Sequence, residues 1–298
     1  MSHTEILLKN LNSKPILKIG GAFDAMSAKL VELSNFDGIW ASSFAISATH
    51  ALPDASIMTM TEFLGVAKNM VDSCQLPVIA DCDTGFGGPA NVSHMVKKYE
   101  DAGVAAVCIE DKVFPKKNSL LENSQHELIT EKEFVSKIIA AKDSKKDPNF
   151  MIIARTEALI ANIGMKEAIK RALAYEKAGA DAILIHSKKS TADEIFEFSD
   201  SWGGNIPVVI VPTSYPDVSL EQIQSHKIKM VIYANQCLRS AHASMLKTLA
   251  QIMSSNSLSD VSEPMSSMEE IFKLQEMYNI ENQEKEIEEK LKKLGYIN

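Results

Sequence analysis

A (β/α)8 barrel is the fold class this sequence predicts, on three observations. Eight apolar, β-branched runs recur along the chain, helical patterns separate them, and two helix-to-strand junctions nearly repeat. The junctions are Tyr99-Glu-Asp-Ala-Gly-Val-Ala-Ala-Val-Cys-Ile-Glu110 and Tyr175-Glu-Lys-Ala-Gly-Ala-Asp-Ala-Ile-Leu-Ile-His186. In each, a helix closes on glycine and turns directly into a strand. An open doubly wound sheet is the competing architecture. Eight runs of similar length, with no Gly-x-Gly-x-x-Gly after the first, favour closure.

Taken in order, a short N-terminal helix leads into strands expected at Ile16–Ala22, Phe36–Ser43, Leu76–Asp83, Ala105–Lys112, Phe150–Glu157, Ala182–Lys188, Pro207–Thr213 and Met230–Asn235. Each run has the length and the Gly, Pro or polar flanks of a parallel strand covered on both faces. Residues 1–253 form the expected barrel. From Ser254 the composition turns to Ser, Asn and Asp, and from Met268 to Leu294 a highly charged helical pattern follows, so 254–298 is read as a linker plus one or more helices. Ile271, Leu274 and Met277 make an apolar stripe at helical spacing, whereas Glu284 to Lys293 pairs Glu with Lys and can stay solvated. The stripe has two possible covers, its own barrel or a neighbouring subunit.

Composition bounds the function. The chain has 298 residues, 45% hydrophobic and 23% charged, with a formal net charge of -8. With no block of Lys and Arg, nucleic acid and anionic membranes are poor partners. No apolar run approaches the ~18 residues of a membrane span, and Met1-Ser-His-Thr-Glu-Ile lacks the pattern of a secretory signal, which predicts a cytoplasmic protein. Cys74, Cys82, Cys108 and Cys237 have no metal-ligand spacing and are expected as reduced, mostly buried thiols.

Barrel enzymes carry their chemistry at the C-terminal ends of the strands, so the endings matter most. The third run, Leu76-Pro-Val-Ile-Ala-Asp-Cys-Asp-Thr-Gly-Phe-Gly87, stops abruptly in acid and glycine. Alternation puts Asp81 and Asp83 on one side, where two carboxylates repel unless a cation or a shared proton relieves them. Alone, the pair fits solvated acids in a turn as well as it fits a site for magnesium or manganese. Glu110, closing the fourth run, supplies a third acid. Arg155, Lys116 and His186 offer positive charge for an anionic substrate, and the amides of Ser43 and Phe44 could hold an oxyanion. An ion pair with Glu157 is the bland alternative for Arg155, as a satisfied rim histidine is for His186 and a core position for Trp40. The polar loop from Phe114 to His126 is expected to be a lid.

Asp81-Cys-Asp-Thr-Gly-Phe-Gly87 with Glu110-Asp-Lys-Val-Phe-Pro-Lys-Lys-Asn-Ser119 resembles the phosphoenolpyruvate mutase branch of the isocitrate lyase superfamily. Ile153-Ala-Arg-Thr-Glu-Ala-Leu-Ile160, Ile185-His-Ser-Lys188, Val211-Pro-Thr213 and Ile232-Tyr-Ala-Asn235 fit the same family in the same order, and the likeness runs from about Gly21 to Gln275. It implies a barrel whose C-terminal helix is exchanged between subunits, giving a homotetramer built as a dimer of dimers. It also implies magnesium held by Asp81, Asp83 and Glu110 largely through water. Trp40, Ser42, Ser43 and Phe44 then belong to the substrate pocket, Asp54 lies near the reacting phosphoryl, Lys116, Asn118 and Ser119 sit on the gate, and Arg155 and His186 hold the phosphoryl and carboxylate ends.

The implied reaction moves the phosphoryl group of phosphoenolpyruvate from oxygen to carbon, giving phosphonopyruvate, the entry to phosphonate biosynthesis. Two neighbouring activities compete. Phosphonopyruvate hydrolases tend to carry threonine where Asn118 stands. Carbon–carbon lyases of the methylisocitrate lyase type carry a Lys-Lys-Cys-Gly-His motif, where this chain has Lys116-Lys-Asn-Ser119 and no cysteine. Two departures from mutases are Gly21-Ala-Phe-Asp24 after the first strand, which looks more like the lyases, and Ser43 in place of glycine.

Overall fold

Eight parallel strands pair in sequence order and the last closes on the first. They are β1 (Leu17–Ala22), β2 (Gly38–Ala41), β3 (Val78–Asp81), β4 (Ala106–Glu110), β5 (Met151–Thr156), β6 (Ala182–Ile185), β7 (Val208–Ile210) and β8 (Met230–Tyr233). This is a computed structural model, describing residues 1–121 and 124–297. Every expected strand is present, each trimmed by a residue or more at its ends. The trimming matters, because several polar residues expected inside strands lie just beyond them.

The inward positions follow from pleating. Leu17 and Ile19 of β1, Ile79 of β3, Ala106 and Cys108 of β4, Met151 and Ile153 of β5, Ala182 and Leu184 of β6, Val209 of β7, and Met230 and Ile232 of β8 form one buried cluster with Trp40. Leu7 and Leu11, from the helix His3–Ser13, join the same cluster. Counting two residues up each strand from this core gives Gly21, Asp81, Glu110, Arg155 and His186. Apolar layers below thus become a charged layer above without any change of pattern. Gly21 has its own reason: a Cβ there would sit 2.2 Å from the Ala234 carbonyl oxygen, so β1 approaches the end of β8 more closely than a side chain permits.

Local sequence also sets the helix starts. Ser42, Thr59 and Thr130 cap the helices Ser43–Thr49, Met60–Ser73 and Glu131–Ser144, and the last two carry full capping boxes with Glu62 and Glu133. Among the described residues, no helix is long and apolar enough to cross a membrane.

The chain divides into two compact units, Met1–Arg239 and Ser240–Asn298, the division falling inside the helix Gln236–Ser254, upstream of the composition change at Ser254. In the second unit the charged pattern forms two helices, Met268–Leu274 and Met277–Lys293. Between them Glu276 takes a left-handed conformation (φ 56°), so Met277 begins a new helix instead of extending the stripe of Ile271 and Leu274. Neither helix contains a buried residue.

Candidate active site

A cavity of about 160 Å³ opens at the C-terminal end of the barrel. Its walls include Trp40, Ser42, Ser43, Phe44, Asp54, Asp81, Glu110, Lys116, Asn118, Ser119, Arg155 and His186, which is every site residue expected from sequence except Asp83. Trp40 belongs both to the barrel core and to this wall. Ser42 accepts the Ala45 amide, and the next residues, Ser43 and Phe44, open a helix whose first amides have no intrahelical acceptor.

Asp83 reaches the same neighbourhood by another route. β3 ends at Asp81, and Asp83 has φ 49°, in a turn closed by the Gly85 amide on the Cys82 carbonyl. Pleating therefore accounts for Asp81 but not for Asp83, correcting the alternation argument; a left-handed residue carries the second acid to the site. Its carboxylate lies 2.6 Å from Lys116 Nζ, which also lies 2.8 Å from Asp54 Oδ1 and donates to Ser43 Oγ at 3.2 Å. Burial alone would push the Lys116 ammonium down, but Asp83, Asp54, Glu110 and Asp81 hold it well above the usual lysine range. Burial in turn pushes Asp83 up to about 6, against the pull of Lys116, and raises Asp81 likewise.

On the opposite wall, Glu110 and Arg155 are register partners across β4 and β5, and Arg155 Nε lies 3.2 Å from Glu110 Oε2. Arg155 Nε also bonds Glu157 Oε1, while Nη2 donates to Ser119 Oγ (2.9 Å) and lies 2.9 Å from His186 Nδ1. The ion pair with Glu157 is therefore real, and it coexists with a place in the cavity wall. His186 Nδ1 also lies 3.2 Å from Glu157 Oε1, so this one ring nitrogen stands between a guanidinium, which only donates, and a carboxylate, which only accepts. Burial, with Arg155 adding to it, lowers the His186 pKa against the opposing pull of Glu157 and favours the neutral ring. Glu157 is held well below the usual carboxylate range because Arg155, Lys112 and His186 together outweigh its burial.

The loop expected to be a lid is anchored at several points. Asn118 Nδ2 donates to Asp54 Oδ2 (2.8 Å), and the Lys116 amide donates to Ser56 Oγ (3.1 Å). At its roots Lys112 bridges Leu128, and the Ile129 amide donates to the Asp111 carbonyl. Glu122 and Asn123, within the expected lid 114–126, lie outside the described residues. Behind the site, buried Asp111 accepts Tyr175 OH (2.7 Å), Arg171 Nη1 (3.1 Å) and the Glu157 amide (2.9 Å), pinning the end of β5 to the helix Met165–Lys177.

Sequence reasoning gave Lys112 and Glu157 no site role, although each is two residues beyond a residue it did select, Glu110 and Arg155. Both fall inside the expected strands Ala105–Lys112 and Phe150–Glu157, at the same parity as Glu110 and Arg155, which was the available signal. Leu120, Val211, Thr213, Ala234 and Asn235 complete the wall, with Asn235 Nδ2 donating to Thr213 Oγ1 at 3.2 Å.

The donor set bears on a metal. Asp54, Asp81, Asp83, Glu110 and Glu157 bring five carboxyl groups beside Lys112, Lys116 and Arg155. Glu110 Oε1 is buried without a hydrogen-bond donor, its nearest cation being Lys112 Nζ at 3.8 Å. Among the described residues, no three His, Cys, Asp or Glu side chains are drawn together as a metal-holding cluster. All-oxygen donors with few direct contacts fit magnesium, which keeps several of its waters.

The family model for phosphoenolpyruvate phosphomutase matches residues 8–253. The phosphonopyruvate hydrolase of Variovorax sp. (strain Pal2) is 42% identical over 276 residues, covering 92% of this chain and 95% of that protein. The crystal structure of phosphoenolpyruvate phosphomutase from Streptomyces platensis subsp. rosaceus superposes with a TM-score of 0.93 at 43% identity, covering 95% of this chain and 98% of that one. A structure of phosphonopyruvate hydrolase in complex with oxalate and Mg++ gives 0.89 at 40% identity, with the same coverage.

Proposed function

Because the chain belongs to the phosphoenolpyruvate phosphomutase family, we propose that it is a magnesium-dependent mutase interconverting phosphoenolpyruvate and phosphonopyruvate, at the start of phosphonate biosynthesis. The family likeness alone does not choose between isomerase and hydrolase, since relatives of both kinds stand at nearly equal identity.

The observation that carries the mutase reading is the state of Asp54. Lys116 engages one of its oxygens and the Asn118 amide the other. A carboxylate so occupied is poorly placed to take a proton from water, and hydrolysis needs an activated water. Transfer between the two ends of one substrate needs positioning and charge neutralisation instead. In this reading Arg155 and His186 hold the anionic ends of the substrate, and the amides of Ser43 and Phe44 receive an oxygen of the pyruvate part. Trp40 and Ser42 shape the pocket floor. Lys116, Asn118 and Ser119 close over the substrate and exclude water. Magnesium, held by Asp81, Asp83 and Glu110 in part through water, would supply charge stabilisation for the pyruvate enolate. The phosphonopyruvate hydrolase structure in complex with oxalate and Mg++ supports the magnesium part of this reading.

The second unit supports an assembly proposal. Its helices bury nothing and expose Met245, Leu249, Ile280 and Ile287, so we assign them to exchange between subunits in a homotetramer built as a dimer of dimers. Four free cysteines, three of them buried, suit the reducing cytoplasm.

Phosphorus NMR of the purified protein with phosphonopyruvate tests the activity: phosphoenolpyruvate is expected, and release of mainly phosphate and pyruvate would establish the hydrolase. Asn118→Thr frees one oxygen of Asp54 and shortens the side chain. It should lower isomerisation and raise phosphate release, by about tenfold in the ratio for one lost positioning contact.

A further inference from the structure

Glu157 is fully buried, and its two oxygens face different parts of the site. Oε1 takes Arg155 Nε and lies 3.2 Å from His186 Nδ1, the two side chains assigned above to the substrate's anionic ends. Oε2 accepts Ser119 Oγ from the gate at 2.7 Å and lies 3.1 Å from Lys112 Nζ. Lys112 is itself buried, and its ammonium donates to the Lys117 carbonyl at 3.0 Å and to Ser119 Oγ. The gate segment 116–119 thus has two moorings. One, through Lys116 and Asn118, runs to Asp54 and Asp83. The other, through Lys117 and Ser119, runs to Lys112 and Glu157.

We propose that Lys112 and Glu157 are a positioning pair that ties the gate to the anion-binding side chains, so that placing Ser119 and orienting Arg155 become one event. The physical reason lies in what opening would strip away. Lys112 would lose two hydrogen-bond acceptors and Glu157 a donor, in a buried setting where an incompletely paired charge is costly. Arg155 Nη2 would lose Ser119 Oγ at the same time. Glu110, Glu157 and His186 hold Arg155 whether the gate is shut or open, but its Nη2 gains the Ser119 anchor only when the gate is shut, and substrate held by Arg155 favours the shut gate in return. The pair acts through Arg155 and Ser119 and takes no part in bond making. Its kinetic consequence rests on the phosphoryl-transfer reading, whereas the gate mooring itself does not.

The test uses the full-length enzyme with Lys112→Met and, separately, Ser119→Ala. Trypsin cleavage after exposed Lys117 reports the gate, with cleavage at other lysines as the internal reference. Lys112→Met should accelerate the Lys117 cut by about tenfold and Ser119→Ala by a few-fold, since local opening governs cleavage of a segment held in the native fold. Magnesium oxalate should slow the cut in the wild type and lose much of that effect in both variants. Turnover of phosphonopyruvate should show a lower kcat together with a raised KM, and more phosphate among the products. If Lys112→Met fails to fold by circular dichroism, Ser119→Ala, which leaves the buried charges paired, decides alone. An unchanged Lys117 cut in every folded variant overturns the proposal. A faster cut in an enzyme that converts neither phosphoenolpyruvate nor phosphonopyruvate upholds the mooring and defeats the mutase reading instead.

Discussion

The rim of the barrel has two unlike halves. From β3 to β6 it presents Asp81, Glu110, Lys112, Arg155, Glu157 and His186; Glu110, Lys112, Glu157 and His186 are buried, and all but Asp81 are paired among themselves. From β7 round to β1 the equivalent heights hold Val211, Thr213, Ala234 and Gly21, with Asn235 the most polar member. In the function proposed above, the charged half is where a cation and two anionic groups would be held. The neutral half offers small and apolar surface, which suits the part of a substrate that carries no charge. The difference teaches where the energy of this site resides: burying many charges is costly unless each has a partner, so they must be concentrated where they can pair. A rim charged all round would have left some of them alone.

The largest effect should come from the charged half. Asp81→Ala removes the acid that both lines the cavity and holds Ser43 Oγ at 2.9 Å, and it should cost roughly 100- to 1000-fold in kcat with the fold intact by circular dichroism. Full turnover in excess chelator would break the metal side of the comparison.

Next in size is the support behind that half. Asp111→Asn leaves Arg171 without its buried counter-charge and weakens the hold on the Glu157 amide. About 3 kcal/mol of stability should be lost in urea unfolding. A loss within a few tenths of that seen for a surface Asp→Asn would mean that the charged half is not braced from outside the barrel.

A weaker response is expected across the rim. Thr213→Val removes the oxygen that accepts from Asn235 Nδ2 and keeps the volume, which should cost about 1 kcal/mol or less and change kcat/KM only a few-fold. A loss as large as that of Asp81→Ala would abolish the distinction between the halves.

The smallest signal is a pH dependence. The folded state depresses the His186 pKa, so its contribution to stability is present above the ordinary histidine value of about 6.5 and is lost as pH falls through the folded value. Asp83, raised to about 6, acts in the opposite sense, because the folded state gains its proton first as pH falls. The readout is therefore the difference between wild type and His186→Asn. That difference should shrink by up to about 1.4 kcal/mol per pH unit below pH 6.5, and a constant difference from pH 7 to 5 would show His186 to be an ordinary histidine.

What the sequence determined by itself is whatever a strand or helix settles within a few residues. Backbone pleating forces every second side chain to one face, so the inward core of β3 to β6 leads necessarily to Asp81, Glu110, Arg155 and His186. The capping boxes at Thr59 and Thr130 are equally local. Tertiary structure decided the rest, because loops obey no period. Asp83 arrives through a left-handed turn; Asn118 meets Asp54 across 64 positions of chain, and Ser119 meets Glu157 across 38. Whether Arg155 is an ion-pair partner or a cavity residue has no answer in the sequence, since it is both. Near Glu276 a single left-handed residue divides a continuous helical pattern, and no periodicity foretells it. Local geometry repeats and can be counted, but the pairing of buried charges depends on which loops the closed barrel brings within about 3 Å of each other.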